Sequence, residues 1–197
     1  MQTLEVLNNR RSVRNFDPSI TIPKEDLDKI ISAALNSPSA MNLQEHDLVV
    51  ITNKEKIAEV DKIVFPLLSP QIKDRFKKRQ EEFGTINIVT YDSTALVLIF
   101  ENERVQEKWG NLDAGILSMG LMVAAEALGY NSVTLGVVAL PEVGKLFGIE
   151  KKLIVGVAIG KPKKNVNIHP SSLWTTCKTP SLFISFVIKN SLFFEAE

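Results

Sequence analysis

The sequence predicts one layered domain in which helices and strands alternate along the chain. Its 197 residues are 45% hydrophobic, enough for one substantial core. Apolar residues switch repeatedly between helical spacing and short continuous runs, and no internal repeat or Gly/Ser-rich linker interrupts them.

The first element is a short helix from Leu4 to Asn9, followed by the basic cluster Arg10-Arg11-Ser12-Val13-Arg14. Asp17-Pro18 and Ile22-Pro23 are turn signals. Pro23 suits the first position of a helix, and Glu25 and Asp26 suit its positive end. Leu27, Ile30, Ile31, Ala34 and Leu35 then recur at helical spacing, which predicts an amphipathic helix over 24–36. Asn36-Ser37-Pro38 ends it and opens a loop that runs through Gln44.

Asp47 to Thr52 contains a continuous apolar run and predicts a buried strand, with a helix over 54–63 behind it. The stretch 64–90 is polar and basic, with Lys73, Arg75, Lys77, Lys78 and Arg79 close together, and is expected to be a mobile helical excursion with a solvated face. Ala95 to Phe100 predicts a second buried strand. Leu112 to Leu128 is apolar nearly all round and ends at Gly129, which predicts a central helix buried on more than one side. Val133 to Val138, a short helix over 141–147 closed by Gly148, and a last core strand from Leu153 to Ile159 complete the domain.

Residues 165–197 differ in kind. Their apolar run from Leu182 to Ile188 costs about 25 cal/mol per Å² if left in water, so it needs a surface to cover it. The segment reads either as an arm crossing to a partner subunit or as sequence produced by a change of reading frame.

Several function classes are excluded by composition. With 23 basic and 23 acidic side chains the net charge is zero, which offers no field for nucleic acid or a polyacidic partner. A single cysteine, Cys177, forbids an intramolecular disulfide, and His46 and His169 are too few for a zinc site. The N-terminal residues do not read as a signal peptide. The stretch from Ser181 to Phe194 falls short of the roughly 18 residues of a membrane span. The expectation is a soluble cytoplasmic protein with no nucleic-acid or membrane partner.

Three constellations could carry chemistry. Arg10, Arg11 and Arg14 with Ser12 offer a multipoint clamp for a phosphate, because guanidinium binds oxyanions bidentately and stays charged. The loop Ser37-Pro38-Ser39-Ala40-Met41-Asn42-Leu43-Gln44 carries two carboxamides, which can read the donor and acceptor edge of a heterocycle. Ser132 to Gly136 places a glycine where backbone can approach a flat ligand. Taken singly, each is equally a basic turn, a polar turn and a structural glycine. No phosphate-binding glycine motif and no nucleophile set is present, which leaves a bound organic cofactor as the source of any chemistry.

In this order and spacing the motifs resemble the nitroreductase family of flavoproteins. The anchors are Arg10-Arg11-Ser12-Val13-Arg14-Asn15-Phe16, the Ser37 to Gln44 loop, the Asp113-Ala114-Gly115 helix ending at Gly129, and Val155 to Pro162. The resemblance implies an α+β fold of three layers (α-β-α), with a mixed sheet flanked by helices, in a homodimer with shared flavin sites. Residues 1–164 would form the FMN-binding domain and 165–197 a C-terminal arm. Arg10, Arg11, Ser12 and Arg14 would contact the flavin phosphate and the pyrimidine side of its ring. Pro38, Ser39, Asn42 and Gln44 would reach it from the other subunit. Leu135 and Gly136 would present backbone near N5, and Lys161 or Lys163 would help hold phosphate. No side chain acts as a nucleophile; NADH or NADPH would reduce FMN, which then passes electrons in ping-pong fashion to nitroaromatics, quinones or similar electrophiles. A flavin-binding protein without turnover, for storage or sensing, and an enzyme of the same fold with different chemistry are the alternatives. Glu45-His46 stands where the family often has Pro-Trp.

Overall fold

The six residues from Ala95 to Phe100 are all buried, and they divide between two cores. Ala95, Val97 and Ile99 belong to one, and Leu96, Leu98 and Phe100 to the other. A strand alternates its side chains between faces, so an unbroken apolar run marks a strand covered on both.

A computed structural model describes residues 2–163 and the backbone of two later strands. Its elements are helices α1 (Thr3–Asn9) and α2 (Lys24–Leu35), strand β1 (His46–Ile51), helices α3 (Lys54–Leu67) and α4 (Pro70–Phe83), and strand β2 (Ala95–Glu101). Helix α5 (Gly110–Ala127), strand β3 (Asn131–Leu135), helix α6 (Pro141–Leu146) and strand β4 (Leu153–Gly160) follow. The sheet order is β1-β2-β4-β3, with antiparallel pairing between all neighbours. A parallel bridge, Ser12 to Ser132, adds the chain before α2 to the outer side of β3. Two strands of the C-terminal unit, β5 (Ser185–Ile188) and β6 (Ser191–Phe194), pair antiparallel with each other. The expected arm over 165–197 otherwise lies outside the described residues.

One face of the sheet carries α2 and α5, joined by Leu27, Ile30, Ala34, Ala114, Leu117, Leu121 and Ala125. On the other face, Ile57, Val60 and Val64 of α3, Phe76 of α4 and Val143 of α6 pack against the even-numbered residues of β2. The architecture is therefore three-layered, α-β-α. Among the described residues no helix is long and apolar enough to cross a membrane.

Two boundaries differ from expectation. Helix α3 runs on to Leu67 and α4 follows, so the excursion expected over 64–90 is helical with a largely exposed face. Phe76 anchors α4, buried and stacked on Tyr91 with ring centroids 6.0 Å apart. A helix held by so few apolar side chains leaves little periodicity in the sequence. The run from Val133 to Val138 is also divided, since β3 stops at Leu135 and Gly136–Val138 forms a 3-10 turn.

That turn is seated by a close approach. A Cβ on Gly156 of β4 would lie 2.7 Å from Val138 Cγ2 and 3.2 Å from Leu98 Cδ2. Gly156→Ala should therefore overpack the core beneath the turn and lower unfolding free energy by about 1–3 kcal/mol. Urea denaturation measures this, and an unchanged midpoint would mean that the turn yields freely.

Candidate functional site

The chain between α1 and α2 is sewn to the sheet. Val13 N donates to Ser132 O (3.1 Å), Phe16 N to Tyr91 O (3.1 Å), Asp17 N to Lys161 O (2.8 Å), and Lys163 N to Asn15 O (2.9 Å). Val13 and Phe16 are buried, whereas Ser12 is exposed and Arg14 half-buried. The extended segment thus buries its apolar side chains and leaves the polar ones accessible.

Three cations gather beside α5. Arg10, Arg11 and Lys161 all favour the ionised form of Glu126, although burial, opposing them, is the larger effect and raises its pKa. Arg11 Nη1 also donates to Asn8 O (2.5 Å) and Arg10 O (2.8 Å), capping α1. Lys161 Nζ donates to Gly129 O and lies 4.3 Å from the Tyr130 ring centroid. Lys163 turns elsewhere: its Nζ donates to Gly84 O (3.0 Å) and lies 3.6 Å from Asp92 Oδ2.

Arg14 meets Leu135 and Gly136 in one cavity of about 230 Å³, floored by Phe76, Tyr91 and Val133. Space around Gly136 is open, since a Cβ there would meet nothing within 4 Å. Arg75 and Arg79 of α4 line the same cavity.

The loop after α2 is strained and firmly anchored. Met41, Asn42 and Gln44 have φ of 52°, 54° and 48°, a region that L-residues enter rarely and that costs energy. Buried Asp113 accepts a hydrogen bond from Ala40 N (2.7 Å), and Ser39 Oγ accepts one from Gln44 N (3.0 Å). Gln44 O accepts from Asn102 Nδ2 (3.0 Å) and Arg104 Nη2 (2.7 Å). Glu45 is fully buried and its Oε2 accepts from Gln106 N (2.8 Å), which ties the loop to the segment after β2. Met41 and Leu112 are exposed beside this loop.

Within one chain the two sets of residues stay apart. Pro38, Ser39 and Gln44 line a cavity of about 260 Å³ with Glu45, Asp113 and Arg104, which shares no residue with the cavity of Arg14, Leu135 and Gly136. Asn42 is exposed on the loop. Sequence reasoning assigned no role to Asp113, Glu45 or Asn102, the loop's anchors. It named Arg75 and Arg79 only as part of a solvated face. A buried carboxylate directly before a strand, as in Glu45-His46, was the available signal.

Asp113→Ala should leave Ala40 N–H without its carboxylate and destabilise the protein by about 1–3 kcal/mol. The matching signature is faster amide exchange at Ala40. Unchanged exchange there would show that the loop holds its strained backbone unaided.

Comparison with known proteins agrees with this layout. The chain is 28% identical to YdgI of Bacillus subtilis over 182 residues, covering 80% of this chain and 87% of YdgI. It is 27% identical to the CLA biosynthesis enone reductase of Lactiplantibacillus plantarum, covering 80% and 84% of the two chains. The fold superposes on an FMN-bound nitroreductase of Bacteroides fragilis with a TM-score of 0.72 at 22% identity, covering 93% of this chain and 98% of that one. The family model for the nitroreductase family matches residues 7–161, which span the sewn segment, the strained loop, α5 and β4; this chain belongs to the nitroreductase family.

Proposed function

We propose that the protein is an FMN-dependent NAD(P)H oxidoreductase that works as a homodimer with two flavin sites shared between subunits. The observation that carries this reading is the course of residues 10–14 along β3. It bridges Ser12 to Ser132 of β3 and brings Arg14 into one cavity with Leu135 and Gly136, while Arg10 lies near Glu126 of α5. The residues suit the cofactor by charge and by the open backbone at Gly136. Arg10, Arg11 and Lys161 supply the field for a phosphate, and Arg14 faces the cavity in which a flat ring would lie against Leu135 and Gly136. Lys163 is engaged by Gly84 and Asp92, which turns it away from Arg10, Arg11 and Lys161.

The second half comes, in this reading, from the partner's copy of the loop. Pro38, Ser39, Asn42 and Gln44 occupy a separate cavity or exposed backbone in their own chain. Exposed Met41 and Leu112 next to the loop are apolar surface that a partner would cover. The run from Leu182 to Ile188 would act as an arm across the same dimer.

A flavin held there by Arg10, Arg11, Arg14 and Lys161 would supply two-electron transfer from NADH or NADPH to a nitroaromatic, a quinone or a related electrophile. The protein's own contribution is positional and electrostatic. Arg14, which lines the cavity, would set a positive charge near a ring bound there and favour its negatively charged form. Leu135 and Gly136 form a backbone wall without side-chain obstruction, and the anchored loop would cover the opposite edge and exclude water. Support also comes from the relatives, among which are an enone reductase and an NADPH-flavin oxidoreductase of Vibrio harveyi.

The purified protein should be yellow, or quench flavin fluorescence when titrated with FMN, and acid precipitation should release the flavin. With a quinone present it should oxidise NADH or NADPH steadily. Flavin uptake without such turnover would favour a storage or sensing role, and no uptake at all would contradict the proposal.

A further inference from the structure

We propose that Arg75 and Arg79 of α4, together with Arg14, form an oxyanion subsite for the ligand that meets the flavin, selecting substrates that carry a carboxylate or phosphate. The inference rests on the FMN reading above and goes beyond it, because that reading gives Arg75 and Arg79 no part in holding the flavin. In that reading Arg10, Arg11 and Lys161 answer the flavin phosphate and Arg14 answers the ring edge. Two further guanidinium groups in the same cavity remain unassigned.

Among the described residues those groups have no partner of opposite charge. The cavity lining contains Arg14, Arg75 and Arg79 but no Asp or Glu. Among the described residues none of the three arginines takes part in an ion pair. Asp92, next to the lining residue Tyr91, is engaged with Ile86 N (2.9 Å), Asn87 N (2.7 Å) and Lys163. Arg75 and Arg79 stand one helical turn apart, a spacing at which like charges repel. Such an arrangement becomes favourable when an anion sits between the guanidinium groups.

Arg79 is already oriented for this. Its Nη1 donates to Tyr91 Oη (3.2 Å), and its guanidinium carbon lies 5.9 Å from the Phe76 ring centroid. Buried Phe76 and Tyr91 stack within 7° of parallel, so the platform beneath the arginine is rigid. Arg75 is exposed and makes no hydrogen bond among the described residues, which leaves all its donors for a ligand. The cavity, at about 230 Å³, is smaller than the roughly 300–1,000 Å³ of sites that enclose a whole drug-sized ligand. With a flavin ring against Leu135 and Gly136, the part of the cavity beside α4 suits one charged group.

The oxyanion has two possible sources, a carboxylate on the electron acceptor or a phosphate of the dinucleotide donor. Calorimetric titration of the oxidised holoprotein separates them, with 4-nitrobenzoate, neutral 4-nitrobenzamide and adenosine 2′,5′-bisphosphate as probes. At least one anionic probe should bind about tenfold or more weakly to Arg75→Gln/Arg79→Gln than to wild type, while the neutral probe changes little. The single variant Arg75→Gln, at an exposed position, should show part of the loss, and Arg75→Lys should regain some affinity. Loss confined to 4-nitrobenzoate assigns the subsite to the acceptor, and loss confined to the bisphosphate assigns it to the donor. Equal binding of both anions to wild type and double variant, or no binding of either to wild type, overturns the proposal. The flavin absorbance of the starting material separates this outcome from failure of the FMN reading, and a flavin-free chain can be titrated in the same way.

Discussion

Docking of residues 12–17 onto the sheet is the constraint on which the rest of the candidate site depends. Four backbone hydrogen bonds, to Ser132, Tyr91 and Lys161 and from Lys163, fix the path of this segment. Val13 and Phe16 secure it from below, and Phe16 packs so closely on Gly160 that a Cβ there would lie 3.0 Å from its ring. Each buried side chain of this size contributes about 1.5–3 kcal/mol. With that path fixed, the side chains of Arg10, Ser12 and Arg14 have only rotamer freedom left. A cation cluster that would be a loose basic turn on a free loop is thereby aimed at β3 and at the end of α5. The same docking draws in Tyr91, which stacks on Phe76 and so brings α4 and its arginines to the cavity.

The loop from Ser37 to Gln44 is held on a different principle. Its backbone enters the left-handed region at three non-glycine residues, and that strain persists because surrounding groups determine the conformation. Asp113 grips the loop near its start, Asn102 and Arg104 grip its end, and Glu45 locks the following residue into the core. Rigid presentation of an exposed loop has no evident use within its own chain, where its residues line a cavity apart from Arg14 and Gly136. It is useful if the loop completes a site on a second copy.

Much of this was legible in the sequence where a single physical signal dominated. The continuous apolar runs of β2 and β4 announced strands buried on both faces, and the all-round apolar α5 announced a central helix. The order of the Arg10 to Arg14 cluster, the loop and Gly136 pointed to the family. What escaped was set by contacts distant along the chain. Asp113 lies 73 residues from Ala40, so its role as an anchor has no local signature. The packed state of α4 depends on one phenylalanine meeting Tyr91, and a helix rich in Lys, Arg and Glu otherwise reads as solvated. Gly136 ends β3 two residues before the apolar run itself ends, because the 3-10 turn buries Val138 as well as a strand would.

The central claim is that each flavin site draws one half from each of two chains, and a mixed dimer tests it most directly. Arg14→Ala removes a charge from one half and Asn42→Ala a hydrogen-bonding group from the other, so each mutant homodimer should be impaired at both sites. In a heterodimer of the two mutants, shared sites place both lesions at one site and neither at the other, and roughly half of the wild-type NAD(P)H oxidation should return. If each chain builds its own site, both sites stay damaged, and a verified mixed dimer with no recovered activity would contradict the account.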